Sequence, residues 1–170
     1  EACEGLSPVA TAVVHPCSAE ALIGAIEAWE AKLITPVLVG PEARIREIAA
    51  EHKLDITPFE IVPTQFSQES AEKAALLAGQ GRVHALMKGS LHSDEFLHGI
   101  LLKDAGLRTD RRLSHVFLIS VPTYCRRVIV TDAAMNIAPD LDAKREIAQN
   151  AIIFAQSIGI EEPKVAAVCA

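Results

Sequence analysis

Two stretches of the chain join residue types that act on anions and carbonyls. In "HALMKGSLHSDEFL", residues 84–97, an apolar run leads into Lys88-Gly89-Ser90 just before a helix start. A lysine at the end of a buried strand, a glycine that lets the backbone approach closely and a nearby helix N-terminus suit a phosphate group. The stretch is not a Walker A loop, because G-x-x-x-x-G-K-[ST] is absent. The plain alternative is a lysine marking where the strand leaves the core. Ser90 shares this loop with His92 and Ser93, and Ser93 also suits a helix N-cap. In "TDAAMNIAPDLDAKREIAQNA", residues 131–151, Thr131 and Asp132 end a strand. Asn136 stands between Met135 and Ile137, an apolar setting in which an amide finds a specific partner. Asp140 or Asp142 suits the N-cap of the helix that follows.

"GLRTDRRLSH", residues 106–115, adds Arg108, Arg111 and Arg112, and Ser114-His115 opens a strand. The arginines read either as a solvated turn or as guanidinium groups turned towards phosphate. His115 reads either as a hydrogen-bonded core residue or as a substrate contact. No second His or carboxylate stands at metal-ligand spacing, so no metal is expected, and no G-x-S-x-G marks a hydrolase serine.

The elements that must position these residues alternate. Strands are expected at Pro8–Val14, Thr35–Gly40, Phe59–Val62 and around "HALMK". Helices follow, the first capped by Ser18 and carrying Leu22, Ile26 and Trp29 at helical spacing. Ser67 suits the cap of a helix whose Ala71, Ala74, Ala75 and Ala78 make a small-residue face. "SHVFLISVP" and "RRVIVTD", joined through Pro122-Thr123-Tyr124, predict an antiparallel hairpin near 113–132. A long helix is expected over 141–158 and a last strand at "KVAAVCA". Repeated strand–helix units predict an α/β fold: an open, mainly parallel sheet with helices on both faces. Ligands in such sheets lie beyond the carboxyl ends of the strands, where Lys88 and Thr131-Asp132 fall. A first α/β domain is expected over 1–135 and the start of a second over 136–170, with a further part of the protein beyond.

Composition narrows the partners. The 170 residues are 50% hydrophobic and 4% aromatic, which implies an aliphatic core. A net charge of −6 without a basic run argues against nucleic acid. Cys3, Cys17, Cys125 and Cys169 are scattered, as in a reducing compartment. No apolar run approaches the ~20 residues of a membrane span, and "EACEGLSP" lacks the features of a signal peptide. A cytoplasmic protein is expected.

At "HALMKGSLHSDEFL", "GLRTDRRLSHVFLISVP" and "VTDAAMNIAPDLDAKREIAQNA", in this order, and at "VVHPCSAEALIGAIEAWEAKLITPVLVGP", the chain resembles the phosphate acetyl/butyryltransferase family. The pattern is most similar to members that follow an enoyl-CoA hydratase domain. The resemblance implies reversible acyl transfer between coenzyme A and inorganic phosphate, with coenzyme A as a substrate and no bound cofactor or metal. It implies a fold like that of the isocitrate and isopropylmalate dehydrogenases, a homodimer, and an active site in a cleft between two α/β domains. Lys88 and Gly89, with Thr131, Asp132 and Asn136, match the loops that line this cleft. Lys88 with Arg111 or Arg112 would surround the phosphate, and Ser90, Arg112 and His115 join the candidate phosphate and substrate contacts. Asp132 is the candidate base. His98 falls where some members carry an arginine. Much of the coenzyme A and catalytic contact set would lie beyond residue 170. The competing readings are a non-catalytic acyl-CoA-binding or assembly module and a relative on the same fold that forms fatty acyl phosphates.

Overall fold

The computed structural model describes residues 5–168. The chain forms two compact units that divide between Arg108 and Thr109. The boundary expected after residue 135 falls inside the second of them. Cys3 and Cys169 lie outside the described residues.

The first unit runs β1 (Val9–Val14), α1 (Ala19–Glu30), β2 (Ile34–Gly40), α2 (Glu42–Glu51), β3 (Glu60–Pro63), α3 (Ser67–Gly79), β4 (Ala85–Lys88) and α4 (Ser93–Ile100). A 3-10 turn at Lys103–Ala105 closes it. Its four strands are parallel in the order β3-β2-β1-β4. Alternate side chains serve two apolar layers. Val13 and Leu38 pack with Leu22, Ala25, Ile45 and Ile48 on one face. Ala12, Val14 and Val39 pack with Ala71, Ala74 and Leu77 on the other. Burial on both faces explains why β2 is almost continuously apolar rather than alternating.

The small-residue face of α3 has a definite use. Gly99 of α4 lies so close that an added Cβ would meet the Ala71 Cβ at 2.6 Å. Ser18 caps α1, its hydroxyl accepting from the Ala21 N–H at 3.3 Å. Two other caps differ from expectation: Phe66 and His92, rather than Ser67 and Ser93, precede α3 and α4. At the latter the Glu95 carboxylate accepts from the His92 N–H at 3.3 Å, so a first-turn acid takes over from the serine.

The second unit holds the hairpin, β5 (Phe117–Ile119) against β6 (Val128–Val130), and α5 (Leu141–Ser157). The pairing is antiparallel as expected, but each strand keeps three residues. Asp140 caps α5, its carboxylate accepting from the Ala143 N–H at 2.8 Å. Residues 164–168 form no strand, since a strand exists only through a partner; 169–170 lie outside the described residues. No helix among the described residues is long and apolar enough to cross a membrane.

Candidate functional site

The order β3-β2-β1-β4 reverses direction between β1 and β4, the point at which open α/β sheets leave a crevice at the strand ends. Val14 pairs with Lys88, so the next residues, His15 and Gly89, leave their strands side by side. Gly89 N–H donates to the Val14 carbonyl at 2.9 Å and Ser90 N–H to the His15 carbonyl at 3.0 Å. The Ser90 hydroxyl also donates to His15 O at 3.0 Å and accepts from Cys17 N–H at 3.0 Å. Ser90 is therefore a stitch between the two strand ends. Glycine is required at 89 because a Cβ there would sit 2.5 Å from Val14 O and 2.7 Å from His15 O. The Lys88 ammonium turns back onto its own loop, donating to Leu91 O at 2.7 Å and Gly89 O at 3.3 Å. An ammonium carries three donors, so one remains for a ligand.

His15, which sequence reasoning did not single out, stands at these strand ends with a left-handed backbone, φ 53°. Its Nδ1 lies 3.3 Å from the hydroxyl of fully buried Ser70. Ser70 in turn is 2.7 Å from the Thr64 hydroxyl and donates to Phe66 O at 2.9 Å. Burial lowers the His15 pKa below its ordinary 6.5, against the attraction of Glu95. The signal in the sequence was the His-Pro pair directly after an apolar strand. Its partner lies 55 residues away, beyond the reach of local pattern.

In the second unit, extending the register of Phe117 with Val130 would set His115 opposite Asp132. The strands part there, and side chains take over the ladder. Thr131 donates its hydroxyl to His115 O at 2.7 Å, and the Asp132 carboxylate accepts the His115 N–H at 3.1 Å. Asp132 also accepts from the N–H groups of Ala134 at 3.5 Å, Met135 at 3.2 Å and Asn136 at 3.0 Å, and from the Asn136 amide. Burial pushes its carboxyl up, but these donors together outweigh burial and hold it below its ordinary 3.8. The residue expected as a base therefore has both oxygens engaged.

Asn136 does find specific partners. Its amide also donates to Leu113 O at 3.2 Å, and its oxygen accepts from Arg112 at 3.3 Å. Arg112 lies 3.6 Å from Glu146 of α5. Asn150 of α5 donates to Arg112 O and to the Ser114 hydroxyl, both at 2.9 Å. Arg112, Met135, Asn136 and Ile137 line an open concavity of ≈ 340 Å³ at the start of α5. That volume is at the small end of the range for ligand sites, about 300–1,000 Å³. The His115 ring packs edge-on to Phe117, centroids 4.2 Å apart, and its Nδ1 is buried with no partner among the described residues. The structure thus gathers Lys88, Gly89 and Ser90 in one unit and Arg112, His115, Thr131, Asp132 and Asn136 in the other. No group of three or more metal-ligating side chains occurs among the described residues.

A doubly wound α/β unit with polar groups gathered at its strand ends, joined to a hairpin-and-helix unit, is the class these features define. A family model described as "Phosphate acetyl/butaryl transferase" matches residues 59–170, and the chain belongs to that family. It is 52% identical over 164 residues to a phosphate acetyltransferase of Rhizobium meliloti, covering 96% of this chain and 52% of that protein. It is 38% identical over 134 residues to a phosphate butyryltransferase of Clostridium acetobutylicum, covering 79% of this chain and 44% of that one. The EutD phosphotransacetylase from Staphylococcus aureus shares the fold, with a TM-score of 0.75 at 19% identity over 94% of this chain and 57% of that one. The chain spans about half the length of these relatives.

Proposed function

We propose that this chain is the phosphate-handling part of an acyltransferase that converts acyl-CoA and inorganic phosphate, reversibly, into acyl phosphate and coenzyme A. The loop at 131–136, wound on Asp132 so that Asn136 and Arg112 line one concavity, carries this reading in a chain of the phosphate acetyl/butyryltransferase family. Acetyl is the proposed acyl group, because identity is 52% to an acetyltransferase against 38% to a butyryltransferase. Coenzyme A enters as a substrate.

Each residue then has a role. Lys88 offers its remaining ammonium hydrogen to phosphate, while Gly89 and Ser90 hold that loop against β1. Arg112 retains guanidinium donors beyond those used on Asn136 and Glu146. Thr131 and Asp132 order the loop, and His115 anchors its other side. Removing the coenzyme A thiol proton, near its ordinary pKa of about 8.5, needs a base. A carboxylate already accepting hydrogen bonds from five N–H donors is a poor one, so Asp132 is assigned to organising the loop. A cytoplasmic homodimer completes the proposal, supported by exposed Phe117, Leu118 and Ile119 on β5. A hydratase domain ahead of this chain in the whole protein is part of it too.

Coupled assay of acyl-CoA formation from acetyl and butyryl phosphate, on the full-length protein, tests the reading. The expected result is turnover of both, with acetyl phosphate preferred. Activity confined to long acyl phosphates would favour a relative of lipid synthesis. Acyl-CoA binding without turnover would favour the non-catalytic module.

A further inference from the structure

The network behind His15 suits one placement of its protons. The Ser70 hydroxyl has one hydrogen, and it points back along α3 to Phe66 O at 2.9 Å. With that hydrogen so placed, its lone pairs are left for two donors, the Thr64 hydroxyl at 2.7 Å and His15 Nδ1 at 3.3 Å, an arrangement that matches the Nδ1–H tautomer. A hydrogen on Nδ1 leaves Nε2 of the neutral ring as an acceptor. Nε2 has no hydrogen-bond partner among the described residues, and the ring is half-buried. The backbone is equally constrained. His15 N–H donates to Val39 O at 2.7 Å, and its carbonyl accepts from Cys17, from Ser90 N–H and from the Ser90 hydroxyl. A left-handed residue of this type persists where its surroundings over-determine it. Lys88 ends the neighbouring strand one step away in register.

We propose that His15 sets phosphate specificity in the strand-end crevice: its Nε2 accepts the hydrogen of the P–OH group of inorganic phosphate, beside the Lys88 ammonium. This rests on the reading of phosphate as a substrate. An acceptor in an anion site selects anions that carry a hydrogen. Inorganic phosphate at neutral pH has one; sulfate, of nearly the same size, has none and would set an oxygen against the Nε2 lone pair. The more acidic phosphoryl group of an acyl phosphate also lacks one. The contact therefore belongs to the phosphate side of the reaction. Glu95 of α4 is the carboxylate that acts on the ring. The Ser70 hydroxyl of α3 meets the ring at Nδ1, the Thr64 hydroxyl after β3 backs Ser70, and the Ser90 hydroxyl after β4 bonds the His15 carbonyl.

Three variants of the full-length protein separate this role from mere packing. His15→Asn suits the left-handed backbone and keeps a donor near the Nδ1 position for Ser70, but has nothing at Nε2. His15→Gln places an amide oxygen near Nε2. Ser70→Ala removes the group that holds the tautomer. Phosphate and sulfate affinities are read by isothermal titration calorimetry, and the KM values for phosphate and acyl phosphate in the acyltransfer assay. His15→Asn is expected to lower the ratio of phosphate to sulfate affinity at least about tenfold, through weaker phosphate binding with sulfate binding unchanged or improved. The KM for acyl phosphate should not rise by more than about twofold. His15→Gln should restore part of the ratio, and Ser70→Ala should lower it. An active enzyme whose ratio is unchanged in His15→Asn would overturn the assignment and leave acyl transfer standing. His15-dependent selectivity in a protein without acyl transfer would support the assignment and overturn the catalytic reading. No phosphate binding by the wild type would overturn the assignment.

Discussion

Asp132→Ala is expected to lower kcat/KM for acyl transfer by about a hundredfold or more, equivalent to about 2.7 kcal/mol. The expectation follows from what the carboxylate does. It gathers the N–H groups of His115, Ala134, Met135 and Asn136 together with the Asn136 amide, and so sets the curvature of the loop beside Arg112. Without it, water can satisfy these partly exposed donors, so the fold survives while the loop loses its single arrangement. Misplacement of about 1 Å is enough for losses of this size. The melting temperature should fall by only a few degrees. A large stability loss with kcat/KM intact in the remaining folded protein would reduce Asp132 to a structural role. Asp132→Asn should be nearly as damaging, because one acceptor oxygen becomes a donor facing donors.

The same geometry sets a pH dependence. The folded-state pKa of Asp132 lies below its ordinary 3.8. Its contribution to stability is therefore complete above that ordinary value, and it disappears as pH falls through the lower folded one. Loss of ordered loop signals on acidification should begin below the usual carboxylate range in the wild type and be absent from Asp132→Ala.

Gly89→Ala is the second large effect. Its Cβ would meet Val14 O at 2.5 Å and His15 O at 2.7 Å, backbone atoms at and just past the end of central strand β1 that cannot swing aside. Separating β4 from β1 enough to admit the methyl would break the Gly89 and Ser90 hydrogen bonds to β1. Overpacking of this kind costs about 1–3 kcal/mol. A lower melting temperature is expected together with a fall in activity beyond about tenfold, because Lys88, Ser90 and His15 all move. A Gly89→Ala protein with native stability and kinetics would show that the strand ends do not meet as described.

These effects mark the boundary of what the sequence discloses. The β2 run at 35–40, the hairpin and α5 were legible because each is written locally, in a continuous apolar stretch, a turn between β-rich segments and a helical period. The polar hubs were legible only as residue types. Asn136 in an apolar setting announced a specific partner, yet nothing local says that the partner is Asp132 rather than a ligand. Asp132 looked like a free carboxylate because its donors are backbone N–H groups, which every residue carries. Ser90 looked like a ligand contact because His15 O, 75 residues away in the chain, is not adjacent in sequence. His15, Thr64 and Ser70 come from three separate segments and meet only when the parallel sheet forms. Ser18 and Asp140 cap as their types suggest, but Ser67 and Ser93 do not: they have the right chemistry, and the chain turns one residue earlier.

Exchange of label between inorganic phosphate and acyl phosphate tests acyl transfer most directly. Full-length protein, unlabelled acetyl phosphate and radiolabelled inorganic phosphate are incubated with and without coenzyme A. Reversible transfer of the acyl group between coenzyme A and phosphate requires label to enter acetyl phosphate only when coenzyme A is present, and the role given to the 131–136 loop requires that incorporation to collapse in Asp132→Ala. Incorporation without coenzyme A, or none with it, would contradict the assignment of this chain to acyl transfer between coenzyme A and phosphate.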